Sequence, residues 1–337
     1  MLVILIAAAR RAFFEMRSSD LTLTVSIINY RTGDMTLACV RSVLADLGEI
    51  PARVVVVDNC SGDGSADQIE AWIAAQSPAV PVTLVRSETN SGFSGGHNQG
   101  MATAPAQFYL ILNSDALIRP GFFAALLDAA RAHPGAGLLA PQLEFDDGTR
   151  QVSCFRFPSP ASELIRAAAT GVITRLLARY AVPLSMPPAP EQIGWASFAC
   201  ILLRGDMVQA IGPMDEGYFL YFEDTEYCLR ARRAGWRIAY IPKARAIHFR
   251  GGSAPVKALA RERKRLPAYY YASRARFLHQ AHGRAGLWAA NLLWHLGRGI
   301  ASARRLAGKA VPATNDLEAR DIWINAFNPT GDSGATR

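Results

Sequence analysis

A chain of 337 residues, half of them hydrophobic, can bury one large core or two modest ones, and its composition excludes collagenous, fibrous and disordered classes. The five cysteines, Cys39, Cys60, Cys154, Cys200 and Cys228, are odd in number, widely spread and never paired as CxxC, so they suggest neither a disulfide framework nor a zinc site and fit a reducing cytosol. The net charge of +8 is uneven: Gly251 to Ala310 holds twelve Lys or Arg against one acid, Glu262, which is +11 there and −3 for the remainder.

The chain opens with eight apolar residues, Leu2 to Ala9, followed by Arg10 and Arg11. That run is too short to span a bilayer and carries its charges on the wrong side for a secretory signal, so residues 1–20 read as an extension or interfacial anchor. Short, near-continuous apolar runs follow at Leu23 to Asn29, Arg53 to Asp58, Val82 to Arg86 and Phe108 to Asn113, as expected of buried parallel strands. Helical stretches are predicted between and after them, at about Asp34 to Gly48, Gly64 to Ala75, Ser94 to Ala104 and Gly121 to His133. This alternation predicts an α/β fold with a mostly parallel central sheet flanked by helices. Further strands are expected at Phe198 to Leu203 and Arg237 to Ile241, separated by a helix from Glu223 to Ala234 that Gly235 ends. Ala161 to Pro190, rich in Ala and Arg and closing in several prolines, reads as an insertion near the acceptor side. Beyond His248 lie basic helical segments, including Leu287 to Ile300 with Trp288 and Trp294, and then a polar tail from Pro312.

In an open α/β sheet, ligands sit outside the carboxyl ends of the strands. Here those ends read Asn29-Tyr30-Arg31, Asp58-Asn59-Cys60-Ser61 and Asn113-Ser114-Asp115, which should face one crevice. Neither G-x-G-x-x-G after the first strand nor a P-loop occurs, which argues against a dinucleotide dehydrogenase and a P-loop enzyme. The Gly-rich segment comes after the third strand, from Asn90 to Gly100, where small residues let backbone approach a ligand and a helix start favours a negative group.

Asp115 ends a buried strand, where a carboxylate must be solvated, paired or bound to a cation. Glu223, Asp224 and Glu226 cluster at a predicted helix start behind the aromatic run Tyr218 to Phe222. The helix dipole favours their ionised forms, whereas the aromatic bulk removes water and raises their pKa, which makes a better base near neutral pH. Adjacent helical residues diverge by about 100°, so only one of Glu223 and Asp224 is expected to point into the pocket. His248 follows the last strand, ahead of a Gly251-Gly252-Ser253 turn that could present backbone donors to phosphate.

Seven segments, VSIINYRTGD, VVVVDNCSGDGS, NSGFSGGHNQG, YLILNSDALIRPG, WASFACILLRGD, IGPMDEGYFLYFEDTEYCLRARRAGW and IHFRGGS, occur in this order. Over about Leu21 to Tyr271 the chain thereby resembles the family 2 inverting glycosyltransferases of GT-A fold, and within them bacterial rhamnosyltransferase-like members. The resemblance implies that Tyr30 and Asp58 bind the nucleobase and that Asn59 and Asn90 lie near the donor. It places Asn113-Ser114-Asp115 in the D-x-D slot, with Asp115 taking a divalent metal, Mg or Mn, and His248 able to complete that site. Asp224 falls on the base position, and Trp195 and Glu223 on the acceptor side.

What is implied is transfer of a sugar, with dTDP-rhamnose the first choice of donor, onto a saccharide or polyprenyl-linked acceptor in cell-surface polysaccharide synthesis. A UDP- or GDP-sugar donor and a non-catalytic nucleotide-sugar-binding scaffold are the alternatives. The division expected is an extension (1–20), a GT-A domain (21–254), a basic helical membrane-proximal region (255–311) and a polar tail (312–337). The basic region suits an anionic surface, so peripheral contact with the inner face of the plasma membrane is expected, and nucleic acid is not.

Overall fold

The structure is a computed structural model that describes residues 21–249 and 256–331. The apolar N-terminal run and the Gly251-Gly252-Ser253 turn lie outside the described residues.

Ten strands are present among the described residues: β1 (Leu23–Asn29), β2 (Ala52–Asp58), β3 (Val82–Arg86), β4 (Phe108–Asn113), β5 (Ala116–Ile118), β6 (Ala136–Glu144), β7 (Cys154–Phe155), β8 (Trp195–Ala196), β9 (Cys200–Arg204) and β10 (Arg237–His248). Eight form one mixed sheet in the order β3-β2-β1-β4-β9-β6-β10-β5, and β7 pairs with β8 in a small ribbon. Strands β1 to β4 are parallel, in register such that Asn29 lies beside Asp58 and Ile28 beside Asn113. Their carboxyl ends therefore close at one edge, as the sequence predicts. β9 inserts antiparallel against β4 and β6.

The sheet is curled, and its connectivity shows why. Strands β4 and β5 are separated in sequence only by Ser114 and Asp115, yet three strands stand between them in the sheet. Four inter-strand steps would span roughly 19 Å if the sheet were flat, whereas the link reaches only about 11 Å. The sheet must bend until β10 and β5 come back towards the end of β4, which sets Asp115 at the closing seam.

The helices are α1 (Gly33–Leu47), α2 (Ser65–Ala74), α3 (Gly92–Thr103), α4 (Phe122–Ala132), α5 (Pro160–Ala168), α6 (Gly171–Leu176), α7 (Gly205–Ile211), α8 (Glu223–Arg233), α9 (Val256–Arg261), α10 (Ala268–Leu306) and α11 (Glu318–Asp321). Alternate residues of the strands feed two cores: Leu110 and Leu112 pack with Val25, Val54, Val40 and Phe123, whereas Tyr109 and Ile111 pack with Met101, Leu203, Met207 and Tyr227. Small residues let α3 lie very close to β1. A Cβ on Gly100 would stand 2.2 Å from Ser26 Oγ, and one on Gly96 2.7 Å from Ile28 Cδ1.

Three parts differ from expectation. Strand β6 is absent from the sequence reading, because Gly137 and Pro141 interrupt its apolar run; all nine residues are nonetheless buried. Strand β10 continues past Ile241 to His248, and a register shift against β6 between Ile241 and Arg245 accommodates Pro242. The last helical stretch is longer than Leu287 to Ile300: α10 runs from Ala268 to Leu306 and breaks at Gly283, whose φ of 72° leaves the helical region.

The C-terminal segments pack on the insertion. Ser159 caps α5 in a reciprocal box with Ser162. Gly297 brings α10 onto α5 so closely that a Cβ there would lie 2.7 Å from Ala167 Cβ. Between them Glu163 accepts hydrogen bonds from Arg166 (2.8 Å) and Arg274 (3.0 Å), Arg166 also pairs with Glu318, and Arg274 donates to Asn291 Oδ1 at 2.8 Å. Trp294, expected at a membrane surface, is instead only 2% exposed. The tail from Pro312 also folds back: Glu318, Asp321, Ile322 and Ala326 are buried.

Candidate active site

A cleft of about 560 Å³ lies over the carboxyl ends of β1 and β4, bounded by the starts of α3, α8 and α10 and by the end of β10. Tyr30, Asn59, Asn90, Asn113, Ser114, Asp115, Glu223, Asp224 and His248 all line it. Residues assigned from widely separated motifs thus meet in one place.

On the β1–β2 side, Asn59 is a clamp. Its Nδ2 donates to Asn90 Oδ1 and to the Gly92 carbonyl, both at 2.9 Å, and its Oδ1 accepts from Ser91 N at 3.0 Å. These bonds hold the Gly-rich turn against the end of β2. Asp58 does not line the cleft. Its Oδ1 accepts from Asn29 Nδ2 (2.7 Å) and Ser61 Oγ (2.5 Å), and its Oδ2 from Ser61 N (3.2 Å), so it fixes the turn behind the wall. Gly92, at φ 70°, is held where a Cβ would lie 2.1 Å from the Phe219 carbonyl. Phe93 N donates to that same carbonyl at 2.8 Å, which ties α3 to the segment carrying Asp224.

That segment is strained. Tyr221 and Phe222 take φ values of 71° and 67° in succession, a left-handed conformation that costs bulky side chains on the order of 1–3 kcal/mol each. The start of α10 holds them there: Tyr221 packs edge-on to Tyr270 at 5.6 Å, and Phe222 stacks on Phe277 at 5.8 Å. The consequence corrects the expectation that only one acid faces the pocket. Glu223 and Asp224 are the first two residues of α8, whose N-terminal end meets the cleft, and both line it. A divergence measured around the helix axis does not separate residues seen from its end.

Asp224 Oδ1 accepts from Thr225 N (2.7 Å) and Thr225 Oγ1 (3.1 Å). Burial lifts its carboxyl to about 6, partly offset by those bonds. Burial pushes Glu223 still further above the ordinary range, and the neighbouring Asp224 adds to it. Glu223 Oε2 has no hydrogen-bond partner. Of the two, Glu223 is thus the carboxyl that burial more strongly favours in its protonated form.

Asp115 Oδ1 and His248 Nε2, also in the lining, are 3.4 Å apart, with both side chains nearly inaccessible. Gln151 Nε2 steadies the end of β10 by donating to the His248 carbonyl at 2.7 Å and to the Glu144 carbonyl at 2.8 Å. One carboxylate oxygen and one imidazole nitrogen fit a divalent ion that takes its other ligands from diphosphate and water. No group of three or more His, Cys, Asp or Glu able to hold a metal by themselves occurs among the described residues.

Trp195 does not reach the cleft. Its ring stacks on Phe155 at 4.2 Å and its Nε1 donates to the Arg156 carbonyl at 3.0 Å. The same segment enters the wall two residues later, through Ser197, Phe198 and Ala199. Sequence reasoning also missed wall residues: His97 on α3, and Lys257 and Tyr269 from the basic region. Nothing in local spacing marks the last two, because α9 and α10 reach the cleft through tertiary packing.

Comparison with known proteins identifies the family and the fold. A sequence model described as "Glycosyltransferase like family 2" matches residues 21–266. An N-acetylglucosaminyl-diphospho-decaprenol L-rhamnosyltransferase of Mycobacterium tuberculosis is 29% identical over 266 residues, covering 74% of this chain and 80% of its own. The low-salt glycan biosynthesis hexosyltransferase Agl10 of Haloferax volcanii is 23% identical over 67% of this chain and 66% of its own. Among solved structures, GalNAc-T7 with UDP, GalNAc and Mn2+ superposes with a TM-score of 0.58 at 12% identity, over 93% of this chain and 55% of that one. The mannosyltransferase PcManGT of Pyrobaculum calidifontis, in complex with GDP-Man and Mn2+, gives 0.53 at 14% identity, over 97% and 89%. With most of its length matched by the family model and its curled sheet shared with these structures, the chain belongs to glycosyltransferase family 2 and has the GT-A fold.

Proposed function

We propose that this glycosyltransferase moves L-rhamnose from dTDP-rhamnose, with inversion, onto a saccharide carried on a polyprenyl diphosphate in cell-surface polysaccharide synthesis. The observation that carries the chemistry is that one cleft is lined by two polar groups: the buried pair Glu223–Asp224, and Asp115 with His248. The mycobacterial L-rhamnosyltransferase, alignable over most of both chains, supports the choice of sugar and of a lipid-linked acceptor.

Asp224 is the base. With Oδ1 held by Thr225, the carboxylate takes the proton of the acceptor hydroxyl as its oxygen bonds to the anomeric carbon. The bond to the nucleoside diphosphate breaks with its electron pair on the leaving oxygen, so a single displacement inverts the centre. A positioned base of this kind contributes about 10²–10⁴ in rate. Glu223, protonated beside it, can donate a hydrogen bond to the acceptor. Tyr30, Asn59 and Asn90 form the donor side, and Asp58 supports it from behind. Asp115 and His248 would hold a divalent cation, Mg or Mn, whose chemical contribution is positive charge against the departing diphosphate.

The site would work at the inner face of the plasma membrane through peripheral contact. No helix among the described residues is long and apolar enough to cross a membrane. Support comes from Trp288, Leu292 and Leu296, four residues apart along α10 and 43%, 59% and 55% exposed.

The decisive experiment is a donor panel: binding and hydrolysis of dTDP-rhamnose, UDP-hexoses and GDP-mannose, with and without chelator. Preference for dTDP-rhamnose is the expected result. Preference for a UDP- or GDP-sugar would reassign the donor while leaving the base in place.

A further inference from the structure

His97 is 0% exposed, lines the cleft, and has a ring nitrogen, Nε2, with no hydrogen-bond partner. An unmatched buried polar atom is costly, and such atoms in native sites call for an explanation. The other nitrogen is fixed: Nδ1 is 2.8 Å from Ser26 Oγ in the middle of β1. Gly96 and Gly100 allow this approach by removing the side chains that would separate α3 from Ile28 and Ser26. The Phe93 ring packs edge-on at 4.4 Å and holds the imidazole plane from a second side. Ser26 and Phe93 thus hold the ring, while Nε2 of this cleft-lining residue is left without a partner.

The Ser26 hydroxyl is itself fully buried, and a hydroxyl in that position must give its proton to an acceptor. His97 Nδ1 is the acceptor available, so the ring proton resides on Nε2. Burial also holds the imidazole neutral, with its pKa lowered to about 3. The cleft is therefore presented with one uncharged N–H donor on a rigid mount.

We propose that His97 is a donor-binding residue that gives its Nε2–H to an oxygen of the nucleotide sugar, either a sugar hydroxyl or a carbonyl of the base. The assignment rests on the reading of the cleft as a nucleotide-sugar site. A site built to hydrogen-bond one oxygen discriminates against ligands that lack it, because the buried N–H is then left unmatched. His97 consequently contributes to selection among donors.

The test is calorimetric binding of dTDP and dTDP-rhamnose, with UDP and a UDP-hexose in parallel, to the wild type and to His97→Leu, His97→Gln and His97→Asn. The amide nitrogen of Gln can reach the position of Nε2, whereas that of Asn replaces Nδ1. Expected is a loss of about 10- to 100-fold for His97→Leu, the scale of one unmatched buried bond, with recovery by Gln and not by Asn. If nucleoside diphosphate and nucleotide sugar weaken equally, the oxygen belongs to the nucleotide; if only the nucleotide sugar weakens, it belongs to the sugar. Wild-type affinity in a folded His97→Leu, or rescue by Asn alone, would overturn the assignment in favour of a purely structural bond to Ser26. Histidine ¹⁵N NMR of the wild type provides the measurement that needs no variant: Nε2 should be protonated and should shift on addition of nucleotide sugar. An unprotonated or unresponsive Nε2 refutes the proposal. Should the wild type bind no nucleotide sugar, the parent reading falls; should it bind while His97 is silent, only this inference does.

Discussion

His248 Nε2 stands 3.4 Å from Asp115 Oδ1, although one residue ends β10 and the other sits in the two-residue link between β4 and β5. The pairing of His248 with Ala116 in the antiparallel β10–β5 ladder fixes that proximity. If the pair holds a divalent ion, Asp115→Ala should abolish the effect of chelator on donor binding and reduce turnover by about 100-fold or more, the scale of one lost charge-stabilising group. His248→Ala should weaken Mn2+ binding in the presence of nucleoside diphosphate while leaving some. Titration of Mn2+ with dTDP present checks both, and equal chelator sensitivity of wild type and Asp115→Ala would remove the metal from Asp115.

Asp224 and Glu223 can be told apart by pH. The base must be ionised, so turnover should rise with pH and level off above the Asp224 pKa of about 6, raised there by burial. Asp224→Asn should fold, bind donor and lose about 10²–10⁴ in rate. Glu223→Gln, which mimics the protonated acid, should retain the rising limb at the same pH and alter chiefly the acceptor KM. An Asp224→Asn enzyme that keeps the limb, or a Glu223→Gln enzyme that loses it, would transfer the base role to Glu223. Stability carries the same dependence. An acid whose folded pKa is raised binds its proton more tightly when folded, so ionisation costs stability as pH rises from about 4 towards 6. Asp224→Asn should accordingly raise the melting temperature more at pH 8 than at pH 4.

Much of this site is legible in the sequence because strand ends carry it. Asn29, Asp58 and Asn113 close buried apolar runs, and parallel register brings those ends together. What is not legible depends on curl and on side-chain direction. Pro141 and Pro242 hide the strands that return His248 to Asp115, since a proline ordinarily argues against a central strand. Asp58 has the position of a wall residue and the bonds of a turn residue, a distinction that its contacts with Asn29 and Ser61 decide. Trp195 faces Phe155 because β8 alternates, which sends its neighbours to opposite sides. His97 is visible in the sequence as a large residue among glycines, but its unmatched nitrogen is not.

The ion cluster under α10 predicts a stability phenotype away from the cleft. Burial alone would raise the Glu163 carboxyl, yet Arg166 and Arg274 outweigh it and hold it down to about 2. Glu163→Gln leaves Arg274, 2% exposed, without its carboxylate, and breaking a buried pair in this way costs about 3–5 kcal/mol. For an acid with a depressed folded pKa the stabilisation is present above its unfolded value, near 4.5, and disappears as pH falls towards 2. Denaturant unfolding should show Glu163→Gln less stable than wild type at pH 7, with the gap closing across that interval. A gap that persists at pH 2 would point to lost packing in place of lost charge pairing.

The basic C-terminal region predicts membrane binding that depends more on apolar contact than its net charge suggests. Several of its cations are engaged within the chain: Arg274 pairs with Glu163 and Arg276 with Asp215, Arg265, itself exposed, pairs with the buried Asp321, and Arg298 and Arg304 donate to carbonyls near the end of α5. Charges neutralised within the fold contribute little to attraction at a distance. The exposed row Trp288, Leu292 and Leu296 remains, with Phe327 packed edge-on to Trp288 at 5.3 Å. Anionic vesicles should therefore sediment the protein at low salt, and Leu292→Glu with Leu296→Glu should weaken that binding by more than about 10-fold, given about 1.5–3 kcal/mol for burying each leucine. Raising salt should cost less than the paired substitution does, because most of the attraction is apolar. Binding abolished by salt but untouched by the substitutions would place the contact on the cations instead, and failure to bind anionic vesicles at low salt would remove peripheral contact from the proposed function.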